Sequence, residues 1–344
     1  MKRTKAALSI LALIALVSSL AACGGGGSDA TANGGGGGGD EPTQIRYQFL
    51  AGYISPLEVA AKLGYLGDLE LKAEGEVTGG PESIQAVATG QTDIGGAFPG
   101  TVINLIAAGG PIKAVAGEFG ADKYAYSGLY VLDDSPIHTA KDLVGKKIGV
   151  NTLGANSEAV LKLWLKKEGL SPQEIESVEL VVIPPVNEEE ALRQGQLDGI
   201  IVGGALRELA ERHGGVRPLF KDTEFLGDYI NTAFVLNDSF IEDHPQDTKL
   251  LVGGIARAIR YLQTTPAAKV IKLGDEVAEE HGRPEDAESI KYWKSLGVPG
   301  KGGLIRPHEF PLWIKWLEEE GELEPGRLKP SETYTNEFNP YAKQ

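Results

Sequence analysis

The chain has 344 residues, a formal net charge of −15 at pH 7 and one cysteine, Cys23. Its surplus of acidic side chains argues against nucleic acid as a partner and against electrostatic docking to anionic membranes. A single thiol can form no disulfide within the chain, no cysteine cluster for zinc and no Cys-x-x-Cys redox pair. The stretch from Thr43 onward is longer than one hydrophobic core usually supports, so we expect two domains.

The N-terminus has the pattern of an export signal. Three basic residues among the first five positions precede an apolar run over residues 6–20, which is too short to span a membrane. Losing residues 1–22, with their three positive charges, would change the formal charge from −15 to −18. Leu-Ala-Ala-Cys at 20–23 resembles the lipobox of bacterial lipoproteins, which implies that Cys23 is acylated. We therefore expect a flexible Gly-rich tether over residues 23–42 and a lipid anchor at the outer face of the cell membrane or in the periplasm.

The folded part begins with a strand over residues 45–50 and a well-marked helix start. Ser55 can cap the helix, Pro56 suits its first position and Glu58 completes a capping box. Tyr53 lies on the loop between this strand and this helix. A tyrosine there can form part of a binding site, although it serves about as often in packing.

One stretch occurs twice in the chain. Residues 86–93 read A-V-A-T-G-Q-T-D and residues 191–198 read A-L-R-Q-G-Q-L-D, and each copy precedes a short apolar strand and a Gly-rich loop. The aspartates that end the two copies are 105 positions apart, which is about one α/β domain and predicts two similar lobes. Ligands bind beyond the carboxyl ends of strands in such sheets, so the paired Gly-rich loops indicate a shared cleft. Either loop alone could be no more than a tight turn.

The predicted binding site collects residues from strand ends and helix starts. Helix N-termini after Gly79, Gly96 and Asn156 would present backbone N–H groups to a small ligand, even an anion. Aromatic and amide side chains nearby would form the walls of the site. The predicted ligand-binding residues are Tyr53, Gly79, Gly80, Gly96, Phe98, Tyr126, Asn156, Ser157 and Asn231.

Two alternating stretches, residues 124–132 and 229–237, are predicted to be strands that cross between the lobes. They divide the chain into a first lobe of residues 43–126 and 235–344 and a second lobe of residues 127–234. The hinge is expected near Ser127 and Phe234.

Several residues receive structural interpretations from the sequence. Arg207 follows the second Gly-rich loop and is predicted to be on the surface. Acidic residues 188–190 suit the positive end of a helix and are assigned no further role. Trp293, Trp313 and Trp316 are predicted to pack in the core, within mostly helical C-terminal segments that cover the first lobe.

Taken together, the motifs of the chain resemble those of a known family. They are Gly-x-x-Ser-Pro at 52–56, Gly-Gly-Pro at 79–81, Asp-Ser-Pro-Ile at 134–137, Lys-Asp-Leu-Val-Gly-Lys-Lys-Ile-Gly-Val at 141–150 and the two Gly-Gln-x-Asp segments. The series is similar to substrate-binding proteins of ABC importers for sulfonates, nitrate, taurine and thiamine-pyrimidine precursors. The resemblance implies an α/β periplasmic-binding-protein fold of type II, with two lobes, each a mixed sheet flanked by helices. It further implies capture of a small organic anion or heterocycle and its delivery to a membrane permease with its ATPase. Where many relatives have an aromatic residue, this chain has Val202-Gly203-Gly204-Ala205, so contacts from that loop are not carried over.

Enzymatic alternatives find little support in the motifs. The sequence has no G-x-S-x-G elbow, no H-E-x-x-H and no phosphate-binding P-loop, and its five histidines are scattered. We expect no enzyme, no metal and no cofactor, and a monomeric protein. The alternatives are a dehydratase, lyase or pyrimidine-synthase-like enzyme on the same scaffold, and a ligand sensor that docks on a receptor.

Overall fold

The computed structural model describes residues 43–343. The predicted signal, the proposed lipidation site Cys23 and the tether lie outside the described residues. The strands are β1 (Gln44–Phe49), β2 (Glu70–Glu76), β3 (Ile94–Ala97), β4 (Ile112–Ala121), β5 (Ser127–Leu132), β6 (Lys147–Val150), β7 (Glu179–Val182), β8 (Gly199–Gly203), β9 (Val216–Lys221) and β10 (Tyr229–Asn237).

Helices connect these strands and cover the sheets. They are α1 (Pro56–Lys62), α2 (Gly80–Ala88), α3 (Pro99–Ala107), α4 (Asn156–Lys167), α5 (Pro172–Glu176), α6 (Pro185–Arg193), α7 (Gly204–His213), α8 (Thr223–Leu226), α9 (Asp238–Asp243), α10 (Pro245–Thr264), α11 (Ala267–His281), α12 (Pro284–Ile290), α13 (Glu309–Glu319) and α14 (Pro330–Thr333), with 3-10 turns at Ala140–Leu143 and Lys301–Gly303.

The strands form three sheets. β1 and β2 pair in parallel, and β10 lies between β3 and β4 with antiparallel pairing to both. The third sheet has the order β7-β6-β8-β5-β9, parallel from β7 to β8 and antiparallel on either side of β5. The predicted α/β class is therefore confirmed, and the five-stranded sheet is the mixed one of the three.

The two Gly-Gln-x-Asp copies serve the same structural purpose. The Asp93 carboxylate accepts a hydrogen bond from the backbone N–H of Arg46 at 2.8 Å, and the Asp198 carboxylate accepts one from the N–H of Lys147 at 2.9 Å. In each case the aspartate N–H also donates to the carbonyl of the same residue. The motif thus joins the start of one strand to a neighbouring strand, once in each half of the chain.

The predicted first helix start is confirmed by its geometry. The Ser55 side chain accepts from the N–H of Leu57, and the Glu58 carboxylate accepts from the Ser55 N–H at 3.3 Å, with Pro56 in the first turn. Because the cap fixes where the chain turns into α1, it also fixes the loop that precedes the helix, including Tyr53.

The first predicted crossing strand is shorter than the sequence indicates. β5 begins at Ser127, because the Asp122 carboxylate accepts from the N–H groups of Tyr124 and Ala125 and folds them into a turn. The second predicted strand matches β10, but β10 pairs with β3 and β4 on both sides of Phe234. A boundary between residues 234 and 235 would cut this strand, so a crossing that ends before Tyr229 fits the pairing better. The lobe limits themselves remain a prediction.

Trp313 and Trp316 lie in the hydrophobic core, as expected. Trp313 is fully buried on α13 and meets the Phe98 ring edge-on, with 4.5 Å between ring centroids. Because this core spans both β10 and the large sheet, it ties α13 to the strands that carry the site.

Candidate functional site

A cavity of about 230 Å³ lies where loops from all three sheets meet. It is lined by residues of both Gly-rich loops, 96–98 and 201–205, so the repeated segments face one shared cavity. All nine residues predicted from the sequence line this cavity, and their role as ligand contacts remains a prediction. They are Tyr53, Gly79, Gly80, Gly96, Phe98, Tyr126, Asn156, Ser157 and Asn231.

The first Gly-rich loop makes room for a buried acid. A Cβ placed on Gly96 would overlap the Oε2 atom of Glu118, so any other residue at this position would displace that carboxyl group. The Gly96 N–H donates to Ser83 Oγ at 3.2 Å. The Gly96 N–H group therefore already has an acceptor within the protein. The loop gives the site space for the Glu118 carboxyl group, and this N–H is not a free donor for a ligand.

The Glu118 carboxyl group lines the cavity almost without hydrogen bonds. It is 9% exposed, and among the described residues its hydrogen bond comes from Ser55 Oγ at 3.2 Å. Burial raises its pKa to about 8, although the Ser55 hydrogen bond works in the opposite direction. At neutral pH the group can therefore hold or release a proton in response to what lies beside it.

A second buried acid, Glu188, lies on α6 and also lines the cavity. It is 1% exposed, and neither carboxylate oxygen accepts a hydrogen bond from any described residue. Burial raises its pKa well above the usual value. The interpretation of residues 188–190 as helix-end acids with no further role is therefore wrong for Glu188, because helix geometry turns this one side chain inward.

Aromatic side chains form much of the wall. The Tyr53 and Phe119 rings have centroids 5.8 Å apart, and both residues line the cavity together with Trp293. Burial, followed by the negative charge of Glu188, raises the pKa of the Tyr53 hydroxyl, which places these two groups in the same region. Trp293 was predicted to be a core residue only. It packs against the core and also faces the cavity, because α12 ends at Ile290 and leaves residue 293 outside the helix.

Tyr126 is held by an arginine behind the cavity wall. The Arg207 guanidinium lies 3.8 Å from the centre of the Tyr126 ring and donates to its hydroxyl at 3.0 Å. Arg207 also pairs with Glu208 and Glu211 and is 1% exposed. The prediction of a surface arginine is therefore wrong: the residue is buried and its charge is neutralised by partners on its own helix.

The loop that carries Tyr53 is fixed by α12. The Gly52 N–H donates to the Asp286 carboxylate at 2.7 Å, and Ser289 Oγ donates to the Gly52 carbonyl at 2.6 Å. Arg283 connects Asp286 to Glu58 at 2.9 and 2.7 Å. Although burial opposes ionisation of Glu58, hydrogen bonds from His281, Arg283 and Tyr47 lower its pKa. Glu58 is thus a paired acid, unlike the two acids described above.

Contacts between the halves lie beside the cavity. The Asn151 side chain donates to the Thr78 carbonyl at 3.3 Å, and a Cβ on Gly79 would lie 2.5 Å from a methyl carbon of Thr152. Thr101 Oγ1 donates to the Gly154 carbonyl in the same region. Gly79 is therefore required where the two halves touch, in addition to any contact it makes with a ligand.

Sequence reasoning missed Glu118, Glu188 and Trp293. Glu118 is a single acid among apolar and small residues of β4, and Glu188 stands in a run of three acids. The repeat did contain a signal for Glu188, because aligning its two copies matches Glu188 with Ser83, which lies just before the first repeated segment.

Within residues 43–343, no group of acidic, histidine or cysteine side chains could hold a metal ion, and no helix is long and apolar enough to cross a membrane.

The architecture is shared with several solved proteins. It resembles the alkanesulfonate-binding protein SsuA from Xanthomonas axonopodis pv. citri bound to MOPS, with a TM-score of 0.64, 22% identity and coverage of 86% of this chain and 99% of that one. It also resembles the periplasmic nitrate-binding protein NrtA from Synechocystis PCC 6803, with a TM-score of 0.64, 12% identity and coverage of 87% of each chain. These similarities define the class: a two-lobed periplasmic-binding-protein fold of type II.

Sequence comparison then gives the family. The NMT1/THI5 like family model matches residues 51–269, so the chain belongs to this family. A curated relative, the nitrate import ATP-binding protein NrtC of Synechococcus elongatus, is 24% identical over 234 residues. That match covers 62% of this chain, and the chain spans about a third (34%) of the length of that relative.

Proposed function

We propose that the protein is an extracytoplasmic solute-binding protein that captures a small organic molecule between its lobes and delivers it to an ABC importer. One observation carries the proposal: residues predicted from separate strand ends and helix starts in both halves of the chain line one shared cavity. A concave site with aromatic walls and a few convergent polar groups is the usual form of a small-molecule site. The relatives' names, which mention alkanesulfonate, nitrate and nitrate import, support this role.

The cellular setting of the proposal follows from the N-terminal segment. A lipid on Cys23 and the Gly-rich tether would hold the folded part near a permease and its ATPase at the membrane. We propose a monomer that binds and releases its ligand without transforming it. Metabolic labelling with a fatty-acid analogue tests the anchor: the label is expected on the full chain and absent from the Cys23→Ala variant.

The binding role is tested by releasing and identifying the bound molecule. The full chain, purified in mild detergent, is heat-denatured, and the supernatant is analysed by mass spectrometry for a small molecule at near one equivalent. Asn231→Ala changes a cavity residue and is expected to lower the amount retained. Asn187→Ala makes the same change at an exposed position of α6 and should leave it unaltered. Absence of any stoichiometric molecule, together with no binding of added solutes, would contradict the proposal.

Delivery is tested with the permease and ATPase reconstituted in liposomes. The ligand-loaded protein is expected to stimulate ATP hydrolysis above the ligand-free protein. Equal hydrolysis with and without ligand would favour the alternative of a sensor that docks on a different receptor.

A further inference from the structure

Glu188 stands at the position of the second repeat that corresponds to Ser83 in the first, and the two side chains differ in their hydrogen bonding. With Asp93 aligned on Asp198, Ser83 corresponds to Glu188, and both side chains line the cavity. Ser83 is satisfied, because its Oγ accepts from the Gly96 N–H. The residue that corresponds to Gly96 is Ile201, which is paired with Leu129 of β5, and Glu188 has no such partner. The second half therefore holds a longer, ionisable side chain at a position where the protein offers it no donor.

The charges around the cavity are unbalanced. Among the described residues that line it, the acidic side chains are Glu58, Glu118 and Glu188, and none is Lys, Arg or His. Glu58 is paired with Arg283, whereas Glu118 and Glu188 face the cavity without a cation. A buried carboxylate without a partner is costly, and such groups persist where a ligand supplies what the protein does not. Burial raises the pKa of both carboxyl groups, and a cation in contact would favour their ionised forms.

The aromatic residues of the cavity wall suit a ligand that contains a flat ring. Tyr53, Phe119 and Trp293 line the same cavity as the two acids. Faces of aromatic rings attract cations as well as apolar groups, so the walls and the acids favour the same kind of molecule. The volume of about 230 Å³ limits the ligand to a small one.

We propose that the cavity selects an organic cation, a small aromatic amine or amidinium whose N–H groups are held by the carboxylates of Glu118 and Glu188, and that it discriminates against organic anions. This inference rests on the proposed function and assigns a charge class to its solute. Helix N-termini at the same cavity favour negative charge, but they act as partial charges, whereas each carboxyl group that ionises beside a bound cation carries a full charge at contact range.

The test compares three probes that share one ring. Benzamidinium, benzamide and benzenesulfonate are cationic, neutral and anionic, and their binding to the ligand-free full chain is measured by calorimetry and by quenching of tryptophan fluorescence. Benzamidinium is expected to bind at least about tenfold more tightly than benzamide, as for a charge pair formed in a desolvated site. Benzenesulfonate is expected to bind most weakly. An equal or tighter affinity for benzenesulfonate than for benzamidinium overturns the inference.

Substitutions of Glu188 and Glu118 test whether these two acids cause the preference for benzamidinium over benzamide. Glu188→Gln keeps the shape of the side chain and is expected to abolish the preference for benzamidinium over benzamide, while Glu188→Asp retains part of it. Glu190→Gln is the matched control, because it makes the same change on the same helix at an exposed position. An unchanged preference in both Glu188→Gln and Glu118→Gln overturns the assignment. If either variant fails to fold, the three probes on the unaltered protein still decide the charge class.

The molecule released by heat denaturation separates failure of this inference from failure of the proposed function. A released molecule with a basic nitrogen supports both. A released sulfonate or other anion overturns the charge class and leaves the solute-binding role in place. No released molecule, combined with no binding of any of the three probes, counts against the solute-binding role and overturns the inference with it.

Discussion

Replacing Glu118 by glutamine should change how the stability of the protein depends on pH. Burial raises the pKa of Glu118 from 4.5 to about 8, so the folded protein keeps this proton to a higher pH than the unfolded chain does. Below pH 4.5 both states are protonated and the group costs nothing. Stability is lost as the pH rises from 4.5 to about 8, because the unfolded carboxyl ionises freely while the buried one resists. Glutamine cannot ionise, so the variant escapes this loss.

The size of the effect follows from the two pKa values. They differ by about 3.5, and each pKa unit corresponds to about 1.4 kcal/mol, so the penalty approaches roughly 5 kcal/mol at pH 8 as an upper bound. Glu118→Gln should therefore gain up to about 5 kcal/mol of unfolding free energy relative to the unaltered chain between pH 4.5 and 8. Asp222 and Asp286, whose pKa values burial raises to about 6, titrate in both proteins and cancel in the comparison.

Urea unfolding of the ligand-free full chain, followed by tryptophan fluorescence at pH 4.5, 6, 7 and 8, measures this difference. A change in unfolding free energy that is the same at all four pH values reflects how well the glutamine amide packs. The titration of Glu118 is therefore measured by the part of the difference between variant and unaltered chain that changes with pH. Glu190→Gln, an exposed acid on α6, should follow the unaltered chain at every pH. A difference for Glu118→Gln that stays constant from pH 4.5 to 8, or that grows less favourable, would refute the account of Glu118 as a buried acid with a raised pKa.

Further substitutions test the frame around the site. Gly96→Ala should force the Glu118 carboxyl aside and cost about 1–3 kcal/mol, measured by urea unfolding. Gly253→Ala, in the interior of α10 with open space around it, should instead stabilise by about 0.5–1 kcal/mol in the same assay. Asp93→Asn replaces one of the two carboxylate oxygens that accept from the Arg46 side chain by an NH2 group and removes the negative charge, so it should lower the thermal midpoint, at a cost of about 1–3 kcal/mol. Arg283→Met leaves Glu58 without its cation and should cost about 3–5 kcal/mol, which calorimetry at pH 7 can detect. A stable Gly96→Ala or Arg283→Met protein would contradict these assignments.

Features that depend on a few neighbouring residues were predictable from the sequence. The capping box at Ser55 and the strand that became β10 are encoded within short segments. The cavity residues next to Gly-rich loops were also predictable from the sequence, because a strand end and a helix start define their place in an α/β sheet. Glu118 could not be assigned in this way: its burial depends on Gly96 leaving space and on Ser55, 63 positions away, donating a hydrogen bond. Such long-range packing leaves no signal in the local sequence of β4.

The duplicated frame and the chemistry of the site obey different constraints. The two aspartates of the repeat make the same backbone hydrogen bonds in both halves, because each joins the start of its own strand to a neighbouring strand. The position that faces the cavity from the preceding helix is free of this requirement, and it differs: Ser83 binds a backbone amide, whereas Glu188 binds nothing within the protein. A scaffold that repeats its structural contacts can therefore change ligand charge by substituting one inward helix position. Specificity in this fold should accordingly be sought at the residues that break the internal repeat.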